Sequence, residues 1–110
     1  MPTSYKILGQ QNPGTTWTTL YNTSSSPATS SVISTVAVCN TATTARTFRL
    51  AGVTSNITPA ASNCIAYDTT VPANETVLIT LGITLGPGHY IKAYGSTTDV
   101  TFTAFGAEIT

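Results

Sequence analysis

Charge is nearly absent from this chain: its 110 residues hold four Lys or Arg, four Asp or Glu and one His, for a formal net charge of zero. Most enzyme mechanisms recruit acids, bases and activated nucleophiles from those residue types, and nucleic-acid binding needs Lys and Arg to neutralise phosphates. The few charges are scattered, so they form no phosphate-binding stripe, no polybasic patch for an anionic membrane and no acidic tail. Nucleic acid and membrane are therefore not expected as partners. Long apolar runs are also missing, none approaching the roughly 18 residues of a membrane span. Behind Met1-Pro2-Thr3-Ser4-Tyr5-Lys6 there is no apolar region with a small-residue cleavage site, so synthesis and retention in the cytoplasm is the expectation. Cys39 and Cys64 lack the Cys-x-x-Cys spacing of a metal or redox site; they read as buried thiols, with a disulfide as the alternative.

A helical period is missing too. No stretch of a dozen residues keeps one with a cap in front and a Gly behind. What the chain has instead is hydroxyl, with 24 Thr and 10 Ser, and short β-branched or aromatic runs separated by turn chemistry. Turn signals fall at Asn12-Pro13-Gly14, Ser24 to Pro27, Asn40 to Ala45, Ser55 to Asn63, Pro72-Ala73-Asn74, Gly86-Pro87-Gly88 and Gly95 to Asp99. Eight strands are predicted between them, near 4–9, 16–21, 32–39, 46–53, 64–68, 76–81, 89–94 and 99–106, the last extending as far as Ile109. The fold class is all-β: one domain spanning 1–110, an antiparallel β-sandwich of about seven or eight strands, Ig-like or jelly-roll-like.

Alternation is clear in several strands. Phe48 and Leu50 oppose Thr47 and Arg49; Ile65 and Tyr67 oppose Cys64, Ala66 and Asp68; Val77, Ile79 and Leu81 oppose Thr76, Leu78 and Thr80. One buried face and one Thr-coated face is the expected pattern, since the β-branch of Thr fits a pleated strand while its hydroxyl meets water. Exposed edges are usually guarded by Lys, inward charges or bulges, and a chain this poor in Lys guards few of them. Its edges or Thr faces are expected to be covered by partners. The tandem Ile79-Thr80-Leu81-Gly82 and Ile83-Thr84-Leu85-Gly86 reads as a strand, a bend at Gly82 and a second short extended piece, with a close backbone approach at Gly82 as the other reading.

Catalytic and metal-binding patterns are thin. His89 beside Gly86-Pro87-Gly88 reads as a loop residue rather than a base, and Asp68, Asn74 and Glu75 as turn and strand-end residues rather than Ca²⁺ ligands. No catalytic, cofactor-binding or metal residue is assigned. Three N-glycosylation acceptors, at Asn22, Asn56 and Asn74, carry little weight in a chain so rich in Ser and Thr. Trp17, Tyr21, Tyr90 and Tyr94 are either core and rim packing or an aromatic platform for sugar or another partner.

Tyr5-Lys6-Ile7-Leu8-Gly9-Gln10, Val38-Cys39-Asn40, Thr47-Phe48-Arg49, Ala66-Tyr67-Asp68-Thr69, Leu81-Gly82-Ile83-Thr84-Leu85 and the stretch Phe102 through Phe105-Gly106-Ala107-Glu108-Ile109 resemble segments of small structural proteins of tailed bacteriophages, including cyanophages. The resemblance spans almost the whole chain and rests on core and turn residues. Ser55 to Asn63 departs from it, standing where a tighter link is expected. It implies a compact β-sandwich on the virion, typically a capsid decoration or cement protein, although some such proteins sit on tails. It implies no catalytic residue.

The expectation is thus a non-enzymatic virion protein on the capsid exterior, made in the host cytoplasm, with the major capsid protein as its partner. Self-association is expected as well, as a trimer in preference to a dimer. Candidate lattice contacts are Pro2, Thr3 and Ser4 at the start and Glu108, Ile109 and Thr110 at the end. The alternative is a host-recognition module that binds carbohydrate, on a tail fibre or capsid surface; it requires Trp17, Tyr90 and Tyr94 to be exposed together. A third reading, a secreted Ig-like adhesion domain, requires a Cys39–Cys64 bridge.

Overall fold

Strands that alternate apolar with hydroxyl residues bury their apolar sides only by facing a second sheet. The computed structural model, which describes residues 3–23, 30–80 and 82–109, achieves this with nine strands: β1 (Thr3–Gln11), β2 (Thr18–Asn22), β3 (Ser30–Asn40), β4 (Arg46–Val53), β5 (Cys64–Val71), β6 (Thr76–Ile79), β7 (Ile83–Leu85), β8 (Tyr90–Gly95) and β9 (Val100–Ile109). Among the described residues the only helical element is one 3-10 turn, Ala61–Asn63. The predicted turn at Ser24 to Pro27 and residue Leu81 lie outside the described residues.

Every pairing is antiparallel. β1 pairs with β9, β2 with β8, β3 with both β6 and β7, and β4 with β5. These are the rungs of one long hairpin folded between β4 and β5. The hairpin wraps on itself because β9 also pairs with β3 and β8 with β4. Sheet A is ordered β1-β9-β3-β6, with β7 continuing along β3, and sheet B is ordered β2-β8-β4-β5. This interleaving is the jelly roll rather than the Ig-like arrangement. The eight predicted strands become nine because β6 and β7 are one strand path broken near Gly82, whose φ of +61° suits glycine. No atom lies within 4 Å of a Cβ added there, so Gly82 serves the bend and not a close backbone approach.

The core lies between the sheets. Val36, Val38, Val100, Phe102 and Ala104 from sheet A meet Phe48, Leu50, Ile91 and Ala93 from sheet B. Phe48 and Phe102 meet edge-on at 5.9 Å across it, an aromatic pair worth about 1 kcal/mol beyond its buried area. One buried polar side chain closes the lower end: Asn40 donates to the carbonyls of Thr44, Val71 and Pro72 and accepts from the Ala42 amide. Both ends of its amide are satisfied, so burying it ties β3 to the turn after β5 without an orphaned group.

Bulges bring the strands into contact at two points where no side chain fits. Leu8 is an extra residue in β1 and Leu20 in β2, and a Cβ on Gly9 would stand 2.0 Å from the Leu20 carbonyl oxygen. Ser34 is an extra residue in β3, and a Cβ on Gly106 would stand 1.9 Å from the Val32 carbonyl oxygen. Gly106→Ala should therefore destabilise by about 3 kcal/mol, whereas Gly82→Ala should lose only about 1 kcal/mol of backbone strain. Urea denaturation of the two variants beside the parent checks the difference; equal losses would contradict it.

Candidate functional site

Arg49 points outward from the middle of β4, because Phe48 and Leu50 on either side of it are in the core. Its partner strand is irregular at the same level. Thr69 pairs with Phe48 and Ala66 with Leu50, so Tyr67 and Asp68 together oppose Arg49 alone. This is a β-bulge, and it turns both residues onto the guanidinium. Arg49 Nε donates to Asp68 Oδ1 at 2.7 Å and Nη2 to Oδ2 at 3.3 Å. The rings of Tyr67 and Tyr94 lie 4.2 and 4.7 Å from the guanidinium carbon. Tyr94, which pairs with Arg49 from β8, stacks tilted against Trp17 at 5.5 Å. Trp17 is held there by the Asn12-Pro13-Gly14 turn, where Gly95 donates to the Gly14 carbonyl at 2.8 Å.

The result is a row across sheet B, Trp17–Tyr94–Arg49–Tyr67, with one residue from each strand or its approach and Asp68 beside it. The Ser55 to Asn63 loop borders the row. Lys92, one pair along from Tyr94 on the same face, is only 8% exposed and donates to Asn56 Oδ1 at 2.7 Å. Ala51 and Val53, which pair with Lys92 and Tyr90, are buried without belonging to the core between the sheets. The loop that departs from the expected tight link therefore covers half of this outer face and leaves the Arg49 half open.

Asp68 has φ +48°, in the left-handed region that Asp and Asn enter more readily than other non-glycine residues. The Arg49 guanidinium holds the Asp68 carboxyl below its usual range, so it is an acceptor throughout the neutral range.

The candidates named from the sequence are divided by the fold. Trp17 and Tyr94 are together in the row, half-buried. Tyr90 is on the same face but beside Lys92, whose ammonium lies 5.5 Å from its ring. Tyr21 leaves the group altogether: the bulge at Leu20 turns it inward, where its hydroxyl bonds Ser31 Oγ at 2.8 Å and the Glu108 carboxylate. Burial first and Glu108 second raise the Tyr21 hydroxyl pKa. Tyr21 thus links sheet B to sheet A rather than meeting a ligand. Arg49, Tyr67 and Asp68 escaped the sequence reading because regular alternation hides a bulge; two polar or apolar-looking neighbours opposing one partner leave no periodic trace.

Pro2 and Thr110 lie outside the described residues. Thr3 and Ser4 pair with Ile109 and Glu108 in the β1–β9 ladder, so the two chain ends form one surface. Glu108 faces inward to Tyr21 and Lys6, and Ile109 faces outward with Thr3. Cys39 and Cys64 are free thiols on different sheets, which removes the bridge that a secreted adhesion domain requires. His89 Nδ1 accepts from the Gly86 amide at 2.8 Å and closes its own turn. Among the described residues no three His, Cys, Asp or Glu gather as a metal site would need, and no helix is long and apolar enough to cross a membrane.

Sheet A offers the opposite kind of surface. Its five strands contain two charged residues, Lys6 and Glu108, which pair with each other on the inner side. Its outer face is Thr, Ser and apolar side chains with the amide of Gln10, which donates to Thr103 Oγ1; Tyr5 is 84%, Ile7 57% and Leu78 63% exposed. A groove of about 450 Å³ runs along it, lined by Thr3, Tyr5, Val32, Ser34, Ala107 and Ile109 among others. Compared with protein-family models, curated proteins and solved structures, the chain matches none.

Glu108 gives a pH test of the link between the sheets. Lys6 first and the Tyr21 hydroxyl second hold its carboxyl below the ordinary value of 4.5. A carboxyl whose pKa is lower in the folded state contributes stability above that ordinary value and loses it as pH falls through the folded one. Glu108→Gln should therefore lower the melting temperature at pH 7, and the gap to the parent should close between pH 4.5 and more acid conditions. A gap that stays constant across that range would show that the charge of Glu108 is irrelevant.

Proposed function

We propose that this protein is a non-enzymatic assembly subunit of a phage virion, a capsid decoration protein that bridges and stabilises the capsomers of the major capsid protein. The observation that carries the reading is the outer face of sheet A. It is free of charge among the described residues, exposes Tyr5, Ile7 and Leu78, and ends at the free edge of β1. Large apolar side chains left exposed at both edges of one charge-free face are what a partner covering that face would bury. An unpaired edge strand with one Lys is a further invitation to pairing.

The physics suits a protein present in many copies. Hydroxyl groups supply hydrogen bonds to a shell without burying ion pairs, which avoids their desolvation cost. A modest patch on each subunit suffices, because repetition on a lattice multiplies weak contacts into avidity. Zero net charge removes long-range repulsion between neighbouring copies, favouring self-association around a rotation axis, as a trimer at capsid three-fold positions. The jelly roll also builds viral capsid and lectin domains, an analogy of fold and not of activity.

Cryo-electron microscopy of purified virions that contain the protein tests the reading. Regular copies across capsomer seams, sheet A toward the shell, are expected. Leu78→Lys, a change at an exposed position, should keep the melting temperature within about 2 °C and reduce particle occupancy at least tenfold. Density confined to the tail, or full occupancy by the variant, would overturn it.

A further inference from the structure

The row lies on sheet B, on the face opposite the one proposed for assembly, and its chemistry fits a different ligand. We propose that Trp17, Tyr94, Arg49, Tyr67 and Asp68 form a binding site for an uncharged oligosaccharide. Shape is the first argument. The row crosses four adjacent strands, three inter-strand spacings or about 14 Å, and the loop holding Asn56 borders the same outer face at Lys92. A long, narrow platform accommodates a chain of sugar rings, whereas a folded partner needs roughly 800 Å² of surface on each side.

The side chains supply the three things a sugar ring asks for. Tyr67 is 53% exposed and presents a flat apolar ring to the C–H face of a pyranose. Arg49 keeps N–H donors beyond the two it gives to Asp68, and the half-exposed Asp68 oxygens keep lone pairs. Sugar hydroxyls donate and accept, so adjacent hydroxyls engage both members of the pair through charge-assisted hydrogen bonds. Net charge selects the ligand class. Arg49 and Asp68 neutralise one another, so neither an anionic nor a cationic sugar meets an unmatched charge there.

The site is also assembled in advance. Two tyrosine rings and two hydrogen bonds already hold the guanidinium, and the bulge at Asp68 fixes the carboxylate. Binding therefore freezes few side chains, which is where weak surface sites lose most of their affinity. The platform expected from the sequence contained Tyr21 and Tyr90; the one built by the fold replaces them with Arg49, Tyr67 and Asp68.

Trp17 is the only tryptophan and touches the row through Tyr94, so its fluorescence reports on the site. Titration with neutral glucose, mannose and galactose oligomers, beside a sulfated and a uronic-acid oligomer, is the experiment. At least one neutral oligomer should give a saturable change with a Kd of about 0.1–1 mM. Tyr67→Ala should weaken it roughly tenfold, about 1.4 kcal/mol, with an unchanged circular dichroism spectrum. Asp68→Asn, which tolerates the left-handed backbone, should weaken it similarly, and Leu78→Lys on the opposite face should leave it unaltered. No saturable change with any neutral oligomer, equal binding by Tyr67→Ala, or binding of charged oligomers alone would overturn the proposal. Since assembly is read from sheet A, failure here leaves that reading standing, and the reverse holds.

Discussion

Everything in this molecule depends on the ladder between β3 and β9. It joins residues 30–40 to residues 100–109 and turns an extended hairpin into two facing sheets. The strands supply Val36, Val38, Val100, Phe102 and Ala104 to the core, so their register decides which side of sheet A is buried. A slip of one residue would present the Thr-rich side to the core, and the extra residue at Ser34 opposite Phe105–Gly106 fixes the register locally. Because the ladder joins residues 60 or more positions apart, its loop-closure entropy is met only late in folding, and slow folding is the expected consequence.

With the wrap in place, the scarcity of charge shapes the two outer faces differently. Sheet A keeps its single ion pair on the inner side, leaving an exterior of uncharged polar and apolar groups. Sheet B places Arg49, Asp68 and Lys92 outside and holds each in a fixed contact, Arg49 with Asp68 and Lys92 with Asn56. One face is suited to broad, weak, repeated contact; the other concentrates directional hydrogen bonding in a few side chains. A subunit attached through sheet A would leave sheet B facing away from the shell, so the two proposed roles are compatible on one domain.

The fold was more legible in the sequence than the site. Phe48 and Leu50 against Thr47 and Arg49 gave the correct inner face of β4 because that strand is regular. In β5 the alternation was present but its sense was concealed: Ile65 and Tyr67 are exposed, since bulges at Ile65 and at Tyr67–Asp68 turn them outward. Tyr21 failed as a platform residue for the same reason, one extra residue at Leu20 having reversed its direction. The Gly82 break was readable because glycine followed by a repeated extended segment has a local cause. Contacts such as Trp17 with Tyr94 join residues far apart in sequence, and only the pairing of β2 with β8 brings them together.

Division of labour between the faces is the central claim, and hydroxyl-radical footprinting of the protein free and on intact particles tests it most directly. Tyr5, Ile7 and Leu78 should lose reactivity on the particle while Tyr67 and Trp17 keep theirs. Protection of Tyr67 and Trp17 with Tyr5 and Leu78 still reactive would contradict the account, placing the assembly contact on sheet B.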